Sequence, residues 1–135
     1  MGPESIGKYP VPGPEARKKP PKHWLITRRD ALQVIHGKDH PMLETFSVSN
    51  DFIHFSTIEL PSGGETVRAS DPEVHRGDEA LYVLDGPMAV FLPDTEDTFE
   101  VKEGEVMFIP EGIRHYYVNY TERVAKALHV VAPEI

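Results

Sequence analysis

The chain has 135 residues, with 14 Lys and Arg against 22 Asp and Glu and no cysteine. This length supports one domain with an arm at most, and a formal net charge of −8 argues against a nucleic-acid partner, whose binder carries a basic balance or stripe. Without cysteine there are no disulfides, thiolate zinc sites or cysteine nucleophiles, so any metal has to be held mainly by His and carboxylate. The longest apolar runs are a few residues, and the first residues lack the basic-then-apolar order of a secretory signal; both predict a cytoplasmic protein that does not engage a membrane.

The first 22 residues hold Pro3, Pro10, Pro12, Pro14, Pro20 and Pro21, with a basic cluster at Arg17, Lys18, Lys19 and Lys22. Proline fixes φ and removes backbone donors, so an extended or polyproline arm is expected here, lying on a surface of this chain or of a second subunit. Residues 27–37, TRRDALQVIHG, predict a short helix: Thr27 suits the cap, Ala31, Leu32 and Ile35 make one apolar side, and Gly37 suits the C′ position. Residues 1–42 are thus an arm and a short helix, and 43–135 a separate β unit. Within it, strands are expected near 43–49, 52–60, 65–69, 79–84, 87–92, 98–102, 105–109, 113–119 and 123–131, divided by turn residues such as Pro61-Ser62-Gly63-Gly64, Asp85-Gly86 and Glu103-Gly104. Many short strands at such spacing predict an all-β sandwich or barrel.

Two segments of the β unit carry the chemistry. The downstream one runs Gly104-Glu-Val-Met-Phe-Ile-Pro110-Glu-Gly112-Ile-Arg-His115-Tyr-Tyr-Val-Asn119, and the upstream one Glu73-Val-His75-Arg-Gly-Asp-Glu79-Ala-Leu-Tyr-Val-Leu-Asp-Gly86. Strand side chains alternate faces, so Glu73 and His75 point the same way if both lie on one strand. Glu79 opens the next strand, close to His75 across the Arg76-Gly77-Asp78 turn. His115 belongs to a separate strand, with Ile113, Tyr117 and Asn119 expected on its face and Arg114, Tyr116 and Val118 on the other. Two imidazoles with one or two carboxylates make a hard-to-borderline divalent site with N and O ligands.

Together the segments resemble the paired motifs of the cupin superfamily, a small jelly-roll β-barrel. Gly104, Pro110, Gly112, His115 and Asn119 match the downstream pattern G-x5-P-x-G-x2-H-x3-N at every position. His75, Glu79 and Gly86 match the second His, the Glu and the final Gly of the upstream pattern, whereas Glu73 stands in place of the first His and Val67 in place of the opening Gly. An alternative alignment makes His75 the first His. The resemblance implies a divalent metal held by His75, Glu79 and His115 with Glu73 as a further ligand, Fe(II) or Mn(II) ahead of Zn(II) or Ni(II). It also implies a homodimer with exchanged N-terminal segments.

Beside those residues, Arg68, Tyr82, Tyr117 and Lys126 are candidates to orient a small-molecule substrate, Arg68 because a guanidinium grips a carboxylate or phosphate with two bonds. A surface role explains Arg68 equally well. Of the other histidines (His23, His36, His40, His54 and His129), His54 and His129 fall in expected strands and are candidates to line the cavity. Asn119-Tyr120-Thr121 is a glycosylation sequon, but Asn119 is better explained by the motif. The leading expectation is a metal-dependent enzyme on a small polar molecule, a non-haem dioxygenase using Fe(II) on His75, His115 and Glu79, with Tyr117 and Arg68 as further catalytic residues. The alternative is a redox-neutral isomerase, lyase or cyclase with Glu73 as base. A third reading is a non-catalytic small-molecule-binding module, because fold alone does not set chemistry.

Overall fold

Met42, Glu44 and Phe46 share one parity in a run of eight residues, and His54, Ser56, Ile58 and Leu60 share one in the next; each set is buried and the residues between are half-buried. Two runs with that period must pair as strands, and they do. The computed structural model describes residues 9–10, 13–21, 23–36, 40–66 and 75–133. Over these residues the strands are β1 (Leu32–His36), β2 (Met42–Ser49), β3 (His54–Leu60), β4 (Asp78–Asp85), β5 (Met88–Leu92), β6 (Asp97–Val101), β7 (Val106–Ile109), β8 (Tyr116–Val118) and β9 (Ala125–Ala132). They form a six-stranded sheet in the order β1-β2-β3-β9-β4-β7 and a three-stranded sheet in the order β6-β5-β8, with all pairings antiparallel. Among the described residues no helix is long and apolar enough to cross a membrane.

The inward positions change chemistry along each strand. On β3, His54 and Ser56 precede Ile58 and Leu60; on β4, Glu79 precedes Leu81 and Val83; on β9, Ala125 and Ala127 precede His129. Because β9 runs antiparallel to both neighbours, with Ser56 opposite His129 and Leu81 opposite the same residue, the polar positions collect at one end of the interior. The other end is the apolar core, where Ile58, Leu60, Leu81, Val83, Met88, Val90 and Ala127 are buried.

The segment expected to be a helix at 27–37 is not one. Asp30 closes a turn, its carboxylate accepting from the Thr27 backbone N–H (3.2 Å) and hydroxyl (2.9 Å), and β1 follows. Leu32 to His36 pair residue by residue with Phe46 to Met42. Strand pairing satisfies the same backbone groups a helix would, and β-branched Val34 and Ile35 favour the pleated surface. Gly37, the expected end of that helix, lies outside the described residues. The arm also departs from a fully extended form, since α1 (Gly13–Ala16) is a single helical turn with Pro14 in the first turn, where its missing donor costs nothing. Among the described residues of the arm, Tyr9 and Ser49 exchange backbone hydrogen bonds of 2.7 and 2.6 Å, and the Arg17 guanidinium sits 3.6 Å over the Phe52 ring. The strand expected at 65–69 is represented only by a Glu65–Val118 bridge, residues 67–69 lying outside the described set.

The division of the interior predicts where substitutions are felt. Leu81→Ala opens a cavity in the apolar end and is expected to lower stability by about 2–5 kcal/mol. Lys126→Ala removes one exposed pair with Glu59 and is expected to change it by less than about 1 kcal/mol. Urea unfolding of both variants checks the contrast.

Candidate metal centre

His75, Glu79 and His115 are brought together as their spacing suggests. The Arg76-Gly77 bend carries the chain from His75 into β4, and it passes so close to β9 that a Cβ on Gly77 would stand 2.5 Å from the Ala132 carbonyl oxygen. Only glycine permits that approach. Glu79, the first inward residue of β4, is 1% exposed. Its Oε1 lies 3.0 Å from His75 Nε2 and 3.1 Å from His115 Nε2. A third imidazole joins them from β9, with His129 Nε2 at 2.7 Å from the same oxygen. Three ring nitrogens therefore face one carboxylate oxygen. Tyr117 holds the other, its hydroxyl donating to Oε2 at 2.5 Å.

The donor set fits a cation. His115 Nδ1 donates to the Ile113 carbonyl oxygen at 2.9 Å, which can only accept, and this turns Nε2 toward Glu79 Oε1 at 3.1 Å. That is the orientation in which metal-binding imidazoles are held. His75 Nε2 is buried, and among the described residues it has no hydrogen-bond partner. Ring nitrogens and a carboxylate oxygen gathered at about 3 Å are held by positive charge, which protons supply in the metal-free chain, and three imidazoles with one carboxylate also suit a borderline divalent ion.

The family profile of a cupin domain matches residues 56–131. The chain belongs to the cupin family. No curated protein matches it by sequence. Among solved structures, this cupin is similar to the polyketide cyclase RemF from Streptomyces resistomycificus, with 25% identity over 82% of this chain and 80% of that one, at a TM-score of 0.66. KdgF from Halomonas sp. shares the fold at 13% identity over 84% and 96% of the two chains, TM-score 0.68. So does a predicted oxalate decarboxylase from Thermotoga maritima, at 18% identity over 82% and 99%, TM-score 0.67.

Other expected site residues fall differently. Tyr82 and Lys126 point outward, because both occupy the solvent parity of their strands, and Lys126 pairs with Glu59 at 3.2 Å; neither orients a molecule inside this cupin. Tyr117 and Asn119 are buried on the face of His115, but Ile113 is exposed, since β8 begins only at Tyr116. Asn119 is fully buried, donating to the Leu60 and Arg123 carbonyls at 2.8 and 2.6 Å and accepting from Thr121, so its amide is spent on joining strands and is closed to glycosylation. Arg68 and Glu73 lie outside the described residues. Sequence reasoning passed over Glu44, His36 and the centrality of His129. For Glu44 the signal was present: it has the parity of Met42 and Phe46, a carboxylate on an apolar face. His36 was hidden by its assignment to a helix.

In the metal-free chain, Glu79, Glu44, His129 and His54 titrate away from their ordinary values. Burial pushes the Glu79 carboxyl up, but His129, His115 and His75 outweigh it and hold it well below 4.5. The Glu44 carboxyl is likewise pushed up by burial and held far lower by His129, His36 and His54. Burial pushes His129 down, but Glu79 and Glu44 raise it well above 6.5, whereas burial leaves His54 below 6.5. The carboxylates stabilise the fold above their unfolded value of 4.5 and lose that contribution as pH falls through their folded values. His129 stabilises fully below 6.5 and loses it as pH rises through its folded value, while His54 costs stability as pH drops below 6.5. The melting temperature of metal-free protein is therefore expected to peak near pH 6.5 and fall on both sides, most steeply below about 4.5. Thermal scans from pH 4 to 9 with chelator present check this.

Proposed function

We propose that this cupin is a metal-dependent enzyme that acts on a small polar, carbonyl-bearing molecule in a redox-neutral reaction of the isomerase, lyase or cyclase kind. The observation that supports it is the convergence of His75, His115 and His129 on Glu79. A divalent ion held by these four side chains would supply Lewis acidity, polarising a carbonyl so that a neighbouring proton becomes acidic. Tyr117 keeps Glu79 turned toward the imidazoles, and the Ile113 carbonyl fixes the ring of His115. We assign the proton acceptor to Glu73, two residues before His75, and the grip on an anionic substrate group to Arg68. The likeness to the cyclase RemF supports the redox-neutral class. A second reading, a non-haem Fe(II) dioxygenase, is favoured by the two-His, one-carboxylate set of His75, His115 and Glu79, which leaves positions open. The absence of cysteine agrees with work in the cytoplasm.

Metal content and turnover test the reading. The purified protein is expected to carry Mn(II), Fe(II), Zn(II) or Ni(II), and His115→Ala to lose the ion at this centre together with activity. Turnover of a carbonyl substrate without oxygen supports the redox-neutral reaction; substrate-dependent oxygen uptake overturns it in favour of the dioxygenase. Glu73→Gln is expected to slow turnover by about 10²–10⁴-fold with metal content unchanged if Glu73 is the base, and to lose metal if it is a ligand. A metal-free protein with full ligand binding and no turnover makes it a non-catalytic module.

We further propose that two copies pair through the outer face of β4 and β7. Tyr82, Leu84, Val106 and Phe108 are each at least 40% exposed there, and Tyr82 is paired directly with Val106. Apolar side chains clustered on a sheet face mark an interface. Light scattering is expected to give a dimer that Phe108→Glu converts to monomer; a monomeric parent protein, or a dimer indifferent to Phe108→Glu, overturns this face.

A further inference from the structure

Glu44 takes no part in the centre built on Glu79, yet it is a carboxylate on β2 only 2% exposed. A buried carboxylate is tolerated when charge or hydrogen bonds compensate it. Three imidazoles from three other strands surround it. His36 Nε2, at the end of β1, lies 3.2 Å from Oε1; His54 Nε2, at the start of β3, lies 3.3 Å from Oε2; and His129 Nδ1, on β9, lies 3.6 Å from Oε2. Ser56 donates its hydroxyl to Oε2 at 2.6 Å, and His54 Nδ1 is anchored 3.0 Å from the Ser49 hydroxyl. His129 stands between the two groups, with Nε2 on Glu79 and Nδ1 turned toward Glu44.

Two features separate this cluster from an ordinary buried hydrogen-bond network. The ligand atoms of Glu44, His54 and His129 lie within 4.8 Å of one another, close enough for one ion to reach all of them. The second feature is an unpartnered atom. The His36 side chain is 6% exposed and aimed at Glu44, but its Nε2 makes no hydrogen bond among the described residues. Buried ring nitrogens normally find a partner. His75 Nε2 at the Glu79 centre is in the same condition, so each carboxylate has beside it one imidazole with an unmet lone pair or proton.

We propose that Glu44, His54 and the Nδ1 of His129, with His36 beside them on the other carboxylate oxygen, form a second divalent-cation site inside the barrel, adjacent to the Glu79 centre and joined to it through His129. The N and O donors suit the same borderline ions, Zn(II), Co(II), Mn(II) or Fe(II). An ion there gives His36 Nε2 its partner and offsets the Glu44 charge, and it leaves coordination positions that three protein ligands do not fill. This goes beyond the reaction proposed above and does not depend on which reaction class is correct.

The test uses the full chain, stripped of metal by chelator and titrated with Co(II), followed by visible absorption, with metal analysis of the Zn(II)-loaded protein. The expected result is two equivalents per chain. His36→Leu and His54→Leu each lose one equivalent and keep the one that His115→Ala removes. A single equivalent that His115→Ala removes and that His36→Leu and His54→Leu leave intact overturns the second site. A second equivalent indifferent to both leucine variants also overturns it, as binding elsewhere. An equivalent that survives His115→Ala and vanishes in His54→Leu supports the second site while overturning the Glu79 centre, so the two failures are distinguishable. Should the leucine variants fail to show the native far-ultraviolet circular dichroism, His36→Gln and His54→Gln take their place: loss of one equivalent supports the site, and two equivalents retained, or one in the unmodified chain, overturn it.

Discussion

A carboxylate with almost no solvent contact has to be compensated, and in this protein the compensation at Glu79 organises one end of the barrel. Its Oε1 is faced by three imidazole nitrogens and its Oε2 takes the Tyr117 hydroxyl. These partners arrive from the bend before β4, from the segment entering β8, and from β9, so the site ties the two sheets together. Removing one partner leaves a charge buried without full compensation, which is why such groups act as a unit rather than as a sum of pairs. The Gly77 bend, the Ile113 carbonyl and the Tyr117 hydroxyl all serve this one oxygen pair.

The same constraint explains why the apolar core is displaced rather than central. Ile58, Leu60, Leu81, Val83 and Ala127 fill the far end, where side chains need no hydrogen-bond partners and can pack to the density of other protein interiors. Polar residues placed among them would need compensation one at a time. Grouping them at one end lets carboxylates, imidazoles and hydroxyls satisfy each other, and it lets His129 belong to two neighbourhoods at once. A single strand parity on β9 therefore serves both packing and chemistry, with Ala127 inside the core and His129 at the site.

The fold was largely legible because alternation with period two survives in β2, β3, β4 and β9, and because Gly and Pro mark most turns. The helix expected at 27–37 failed for an instructive reason. Leu32, Ile35 and the flanking Thr27 and Gly37 fit a helical template, but the run is short enough to fit a strand as well, and the edge of β2 was available to pair with it. Local propensity is a weak prior against such a partner. That error concealed His36, whose burial follows from strand parity and not from any helical face. Tyr82 and Lys126 were misplaced in a similar way: their residue types suit a site, but their parity sends them outward.

What the amino-acid sequence determined by itself was the family, the all-β architecture, the exclusion of thiolate chemistry and the nearness of His75, Glu79 and His115, since fixed spacing on strands and tight turns sets which side chains can share a face. What only the tertiary structure decided was which distant strands bring a third imidazole to Glu79 and what surrounds Glu44. His129 lies 50 positions from Glu79 and Ser56 lies 73 from His129. Neighbours at that separation are set by the order and register of strands in the sheet, and no local pattern in a single chain encodes that order.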